Sequence, residues 1–267
     1  MLKNDERTSF PTDYDAYAAT YAWTRGAVPW VLQPLIGCAD GLAARASVLE
    51  VGCGTGNYIN ALAASRPALA HFGFDLSDAM LSEARGRGSS VAFVQGDAST
   101  RFPFPDKTFA FTFAVDVIHH IENLSRFFEE AHRTLVPGGR LAIVTDSETT
   151  LKRRSLTAFF PEILPIELAR YPSVSLLHNR ANQAGLQLVS EEEVTGTVAL
   201  DEEFLARLEA KCSSAMRLME PMAHAAGMAR VRAARAKGEQ WASYYDILLY
   251  RRSGTEETVF PASSQLA

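Results

Sequence analysis

The sequence predicts an α/β protein whose strands run mostly parallel, and three observations predict it. Short apolar runs alternate with helix-patterned segments through the middle of the chain. The first of those runs ends on a cluster of alternating glycines. The composition is that of an ordinary globular chain: 267 residues, 47% hydrophobic, 21% charged, net charge −5. That balance excludes a disordered chain, and three cysteines cannot staple one this long. The acidic total weighs against gripping nucleic acid through bulk charge.

Residues 46–51 form the first strand, a short apolar run that stops at Gly52. Residues 57–65 follow as a helix, with Ile59, Leu62 and Ala63 at helical spacing. Strands are expected over 70–74, 91–94, 109–115 and 140–145, with helices over 78–85 and 124–135 between them. Pro137, Gly138 and Gly139 read as a turn before the fifth strand. Beyond residue 145 the rhythm changes. Residues 147–168 are mixed and interrupted by Pro161 and Pro165. Residues 173–184, 201–217 and 223–237 read as helices, and 186–194 and 243–251 as two further strands. Residues 253–267 lack periodicity and read as a flexible tail. The first residues carry no apolar leader and no apolar stretch is long enough to span a membrane, so a cytoplasmic location is expected. Cys38, Cys53 and Cys212 read as reduced packing residues.

In open α/β sheets ligands bind beyond the carboxyl ends of the strands. After the first strand stand Glu50, Gly52, Gly54 and Gly56, where glycine permits positive φ and a close backbone approach. The spacing is GxGxG, with Asn57 where a dinucleotide fingerprint has its third glycine, and no GK[ST] of a phosphate loop follows. After the second strand stands Asp75, about 20 residues on, an acid placed to accept ribose hydroxyls. Ser77 and Asp78 fit the N-cap of the next helix. After the third strand stands Asp97, in a Gly-Asp pair that alone is a common turn.

These motifs together, LEVGCGTGNY, GFDLSDAML, GDAS, FPFPDKTFAFTFAVDVIHHIEN and LVPGGRLAIVTDS, resemble the class I S-adenosylmethionine-dependent methyltransferases, particularly the group related to ubiquinone and menaquinone biosynthesis. The resemblance covers about residues 48–146. It implies a Rossmann-like seven-stranded sheet with the last strand antiparallel, helices on both faces, and a helical cap. It implies one domain over 1–252, with a cofactor core near 46–146 and a cap from 1–45, 147–180 and 197–240. Glu50, Gly52, Gly54 and Gly56 would hold the methionine part of the cofactor and Asp75 the ribose. Leu76 and Met80 would lie near the adenine and Asp97 and Ala98 at its amino edge, with Val115 a further cofactor-binding residue. An upstream match around Tyr14, Tyr17, Tyr21, Arg25 and Trp30 resembles the helix that closes over the cofactor. There Arg25 would pair with the cofactor carboxylate and Tyr21 would line the transfer channel. The bland reading is a packing helix.

His119 and His120 follow the fourth strand and are the candidate bases, with His119 preferred because neighbours cannot both face one site. Asp116 is a further polar contact there. His178 and His224 read as ordinary histidines. Met216, Met219, Met222 and Met228 suit an adaptable acceptor pocket, although core packing is the commoner role. Lys152-Arg153-Arg154 and the basic run over 230–237 read as solvated faces, with Arg154 or Arg170 left to orient an acidic acceptor. No metal is expected. The function expected is methyl transfer from S-adenosylmethionine to an O, N or C atom of a small-molecule acceptor, without membrane or nucleic-acid partners. The alternatives are a tRNA or protein methyltransferase, or a cofactor-binding protein with other chemistry such as cyclisation. A homodimer is compatible with the sequence, which leaves the oligomeric state open.

Overall fold

The structure is a computed structural model and describes residues 14–254. The expected tail falls outside those residues except for Ser253 and Gly254, as do the first thirteen positions. Seven strands make one sheet: β1 Ser47–Val51, β2 Ala70–Asp75, β3 Ala92–Gln95, β4 Phe109–Val115, β5 Leu135–Thr145, β6 Leu186–Ala199 and β7 Gln240–Arg252. Their order is β3-β2-β1-β4-β5-β7-β6. The first five pair in parallel. The last, β7, is antiparallel to β5 and β6, as expected. The order reverses beside β1, whose neighbours are β2 and β4, and such a switch point opens a crevice at the strands' carboxyl ends.

Both faces of the sheet are covered, which is why its central strands are apolar throughout. In β4, Phe109, Phe111, Phe113 and Ala114 are all fully buried. Successive side chains take opposite faces. Leu49 and Val51 join one core with Phe127, Phe128 and Leu177, whereas Val48 joins the other with Val31, Leu35, Ile59 and Leu62. The helices that supply these residues are α2 Pro29–Cys38, α3 Asn57–Ser65, α5 Leu124–Thr134 and, after the cap's first helices, α9 Val174–Gln183, while α1 Ala18–Thr24 and α4 Asp78–Gly86 complete the set around the parallel strands. Ser77 caps α4 as expected, its hydroxyl accepting the Met80 N–H at 3.1 Å.

The remaining helices are α6 Glu148–Arg153, α7 Ser155–Phe159, α8 Ile163–Arg170, α10 Glu202–Glu209, α11 Ser214–Arg217 and α12 Pro221–Ala236. They enclose a third core of Leu156, Phe160, Ile163, Leu208, Met216 and Val231 with Trp241 of β7. Packing is close there. A Cβ on Gly227 of α12 would stand 2.0 Å from the Phe160 ring.

Three elements differ from expectation. Pro137, Gly138 and Gly139 do not end a segment. They form a bulge inside β5, where the partner of Phe109 is Leu135 and the partner of Phe111 is Arg140. The helix expected over 201–217 breaks into α10 and α11, because Lys211 between them takes a φ of +53°. β6 and β7 run longer than their apolar cores, since β7 pairs with β6 from Gln240 to Arg252. Among the described residues no helix is long and apolar enough to cross a membrane.

Candidate active site

The glycine loop turns the chain from β1 into α3. Gly52, Gly54 and Gly56 all have positive φ. At Gly52 a Cβ would also stand 2.3 Å from Val117 Cγ2, so sterics as well as φ demand glycine. Glu50, at the end of β1, is 2% exposed, and its Oε2 accepts the Ile59 N–H at 2.9 Å. Burial pushes its carboxyl well above the usual carboxylate range. Asp75, at the end of β2, accepts the Gly54 N–H through Oδ2 at 2.8 Å and the Ser77 N–H through Oδ1 at 3.0 Å. Burial raises its pKa, while those N–H groups pull it down. An acid is thus braced against the glycine loop with acceptor capacity to spare. Next to it Leu76 is 67% exposed, an apolar side chain presented to the outside. Asp97 and Ala98 are half-buried after β3, and the Asp97 carboxylate accepts the Ser99 N–H at 2.7 Å.

Over this loop lies α1. Tyr21 sits 3.7 Å from where a Cβ on Gly54 would be. Arg25, just past α1, donates to Asp116 Oδ2 at 2.7 Å. Asp116 follows β4 at a φ of +52°, and its Oδ1 accepts the Tyr171 hydroxyl at 2.7 Å. Arg25 was expected to await the cofactor carboxylate. The structure instead gives it a carboxylate of the protein, because the sharp turn after β4 lifts Asp116 to meet it.

The turn Ile118–His120 carries both histidines with their ring centroids 4.1 Å apart, and although neighbours were not expected to share a site, both line one small side chamber. His119 stacks on Tyr171, with ring centroids 4.1 Å apart, and lines the main cavity. Its Nδ1 has no hydrogen-bond partner, and Asp116 Oδ1 is 3.9 Å away. Burial holds its pKa well below the usual histidine value, with His120 and then the guanidinium groups of Arg170, Arg154 and Arg25 adding to the effect. His119 is therefore a neutral acceptor and a weak base. His120, the less favoured of the two candidate bases, is engaged by other side chains. Its Nε2 lies 2.6 Å from the Tyr14 hydroxyl and 3.4 Å from Arg170 Nη2. An arginine can only donate, so Nε2 is an acceptor there and Nδ1 carries the proton. Burial and Arg170 lower the His120 pKa to about 4.

A cavity of about 370 Å³ runs from this loop into the cap. Tyr21, Arg25, Glu50, Gly52, Val115 and His119 line it. Gly54, Gly56, Asp75, Leu76, Asp97 and Ala98 do not. Met80 is a correction: it is 2% exposed, because the apolar face of α4 packs inward with Leu81 and Ala84. For three of the four methionines the commoner role, core packing, is the observed one. Met216, Met219 and Met228 pack in the third core, Met222 is 86% exposed, and none lines the cavity. Arg154 does line it, but as a buried group rather than a solvated one. It donates to Asp146 at 2.9 Å and to Glu167. Asp146 is fully buried and its pKa is pushed up to about 7 by burial, against the pull of Arg154.

Tyr171, which the Tyr171-Pro172 pair offers as an aromatic wall of the acceptor pocket, lines the cavity, and Tyr58, Glu167 and Tyr245 line it without having carried a signal in the sequence. Asp146 carried one, since it stands directly after β5 as Asp75 does after β2. The residues fit S-adenosylmethionine in kind: a glycine cradle beside a buried acid, a second acid at the loop, and an exposed leucine for a flat ring.

Residues 49–143 match the family model of a methyltransferase domain. The trans-aconitate 2-methyltransferase of Methylobacterium nodulans is 42% identical over 104 residues, 38% of this chain and 39% of that protein. The demethylmenaquinone methyltransferase of Chlorobaculum tepidum is 31% identical over 120 residues, 44% of this chain and 49% of that protein. The chain thus spans less than half the length of either relative. The phosphoethanolamine N-methyltransferase 2 of Haemonchus contortus, solved with S-adenosyl-L-methionine, superposes with a TM-score of 0.59 at 18% identity, over 93% of this chain and 59% of that one. That likeness concerns the fold alone. The glycine loop and the central strands of the sheet thus fall within the stretch, residues 49–143, that is similar to a methyltransferase domain.

Proposed function

We propose that this protein, acting as one domain in the cytoplasm, moves a methyl group from S-adenosylmethionine to an O, N or C atom of a small-molecule acceptor. The observation that carries the reading is the cavity. It starts at the glycine loop, ends among cap side chains, and has the volume of a small-molecule site, about 300–1,000 Å³. The bound cofactor supplies an electrophilic methyl carbon on a good leaving group. In this reading Glu50 and the backbone of Gly52, Gly54 and Gly56 hold its methionine part and Asp75 its ribose. Leu76 covers the adenine, Asp97 and Ala98 meet its amino edge, and Tyr21 and Val115 shape the passage to the cap.

The protein's own work is then to align the acceptor and exclude water. Tyr171 and Tyr21 give aromatic walls, and the Arg25–Asp116 pair ties α1 to the end of β4. His119 turns a neutral ring to the cavity and would hold the acceptor in place. Three guanidinium groups nearby disfavour a proton resting on it, so its part is to orient more than to store a proton. The test is incubation with methyl-labelled S-adenosylmethionine and a metabolite extract treated with ribonuclease and protease. Label in the low-mass fraction supports the proposal. Label found only in untreated RNA or protein overturns it.

A further inference from the structure

At the cap end of the cavity two buried acids share one base. Asp146, directly after β5, is 1% exposed, and Glu167 of α8 is 4% exposed. Both line the cavity, and so does Arg154, which donates to each of them. One oxygen of each carboxylate is left over. Asp146 Oδ1 is buried without a hydrogen-bond partner. Glu167 Oε1 accepts no hydrogen bond among the described residues, since Arg154 reaches Oε2 alone. A buried carboxylate is costly unless it is paired and hydrogen-bonded, and here one guanidinium faces two of them.

The other basic groups of the wall do not make up the difference. Arg25, Arg154 and Arg207 line the cavity, and no lysine does among the described residues. Arg25 is held by Asp116 and Arg207 by Glu203, one acid each. Arg170 lies one turn beyond Glu167 in α8, but its guanidinium turns to Ser214 and His120, and it does not line the cavity. Asp246, on β7, adds a further buried carboxylate and accepts the Ser147 N–H at 2.7 Å and the Thr150 hydroxyl at 3.0 Å. Burial first, and then Asp116, Glu167 and Asp246, raise the Asp146 pKa to about 7 against the pull of Arg154. An acidic acceptor would meet no free guanidinium on this wall, whereas a cation would meet an open carboxylate. Leu156, Tyr171, Phe204 and Trp241 line the same cavity and offer apolar surface to the carbon atoms behind such a cation.

We propose that Glu167 receives an ammonium group of the methyl acceptor, with Asp146 as the second counter-charge. The proposal rests on the methyltransferase reading and narrows its acceptor to a small molecule that bears an amine. Held as an ammonium, that nitrogen has no lone pair to attack a methyl carbon. It therefore anchors the acceptor, and another atom of the same molecule takes the methyl group.

The test is calorimetry on the full chain loaded with S-adenosylhomocysteine, titrated with phenethylamine at neutral pH. The uncharged control is 2-phenylethanol and the acidic one is phenylacetate. Saturable binding of phenethylamine is expected, about tenfold tighter than 2-phenylethanol, with none of phenylacetate. Glu167→Gln keeps the shape and removes one charge, so the preference for phenethylamine should fall to about twofold or less. It also leaves Arg154 and Asp146 matched one to one, so the melting temperature should hold or rise. S-adenosylhomocysteine affinity should stay within about twofold. No saturable phenethylamine binding, equal binding of phenylacetate, or an unchanged preference in Glu167→Gln overturns the proposal. Lost S-adenosylhomocysteine affinity in Glu167→Gln also overturns it, because the cofactor's own ammonium is then the ligand. If Glu167→Gln melts well below wild type or fails to fold, Arg154 needs both acids, neither is left for a ligand, and the proposal falls. A wild-type chain that binds no S-adenosylhomocysteine sinks the methyltransferase reading itself, which separates the two failures.

Discussion

The two ends of the cavity are built from different material. At the loop end the wall is a tight turn, Gly52 and Cys53, with Glu50 tied to the Ile59 N–H nine positions on and Asp75 bracing the turn from outside the cavity through the Gly54 N–H. At the cap end the wall is long side chains held in buried charge pairs. Arg154 bridges Asp146 and Glu167, and Arg25 reaches Asp116 across 91 positions. The difference teaches what each end can specify. A backbone cradle fixes one ligand shape and tolerates little change. A set of paired side chains can be exchanged pair by pair, so the same cradle can serve different acceptors.

Breaking the cap's central pair gives the largest expected effect. Arg154→Met leaves Asp146 and Glu167 buried without a cation and should destabilise the chain by roughly 3–5 kcal/mol. Denaturant melts give the total, and amide exchange should show protection lost in α6 and α8 before β1 and β4. Uniform loss would mean the two ends are not distinct. Gly227→Ala probes packing at the same end without touching charge. Its Cβ would enter the Phe160 ring, so destabilisation of about 1–3 kcal/mol is expected. A neutral result would show that Phe160 moves freely.

Protonation sharpens the comparison further. His120 titrates at about 4 in the folded chain, below its ordinary value of about 6.5 in the unfolded one. As pH falls below about 6.5 the unfolded chain takes up the proton first, so folded stability drops until about pH 4. His120→Gln removes that contribution. Its melting temperature should gain on wild type between pH 6.5 and 4, and a constant difference would contradict the assignment. The smallest effect is expected at Met222, 86% exposed and outside the cavity: Met222→Ser should stay within about 0.5 kcal/mol and leave any acceptor preference unchanged.

The same contrast governs what could be read from the sequence. β4 and α3 have their expected bounds, and Asp75 stands at the loop as expected, because those features follow from runs and spacings within a few residues. The bulge at Gly138 was less legible, since glycine and proline signal a turn and a strand bulge alike. The cap was least legible. Nothing near Glu167 or Tyr171 reveals that one binds Arg154 and the other Asp116, because those partners meet only after the cap has packed. The methionines left two roles open for the same reason: helical spacing places them on a face, and only packing decides that the face is core.

The most direct measurement compares S-adenosylhomocysteine affinity in Asp75→Ala and His119→Ala side by side, by calorimetry. Two separable ends predict that Asp75→Ala weakens binding by about 1–3 kcal/mol. His119→Ala should stay within about twofold of wild type, while its labelled-methyl turnover falls. Equal losses in the two variants, or unchanged affinity in Asp75→Ala, would contradict a cavity with a cofactor end and an acceptor end.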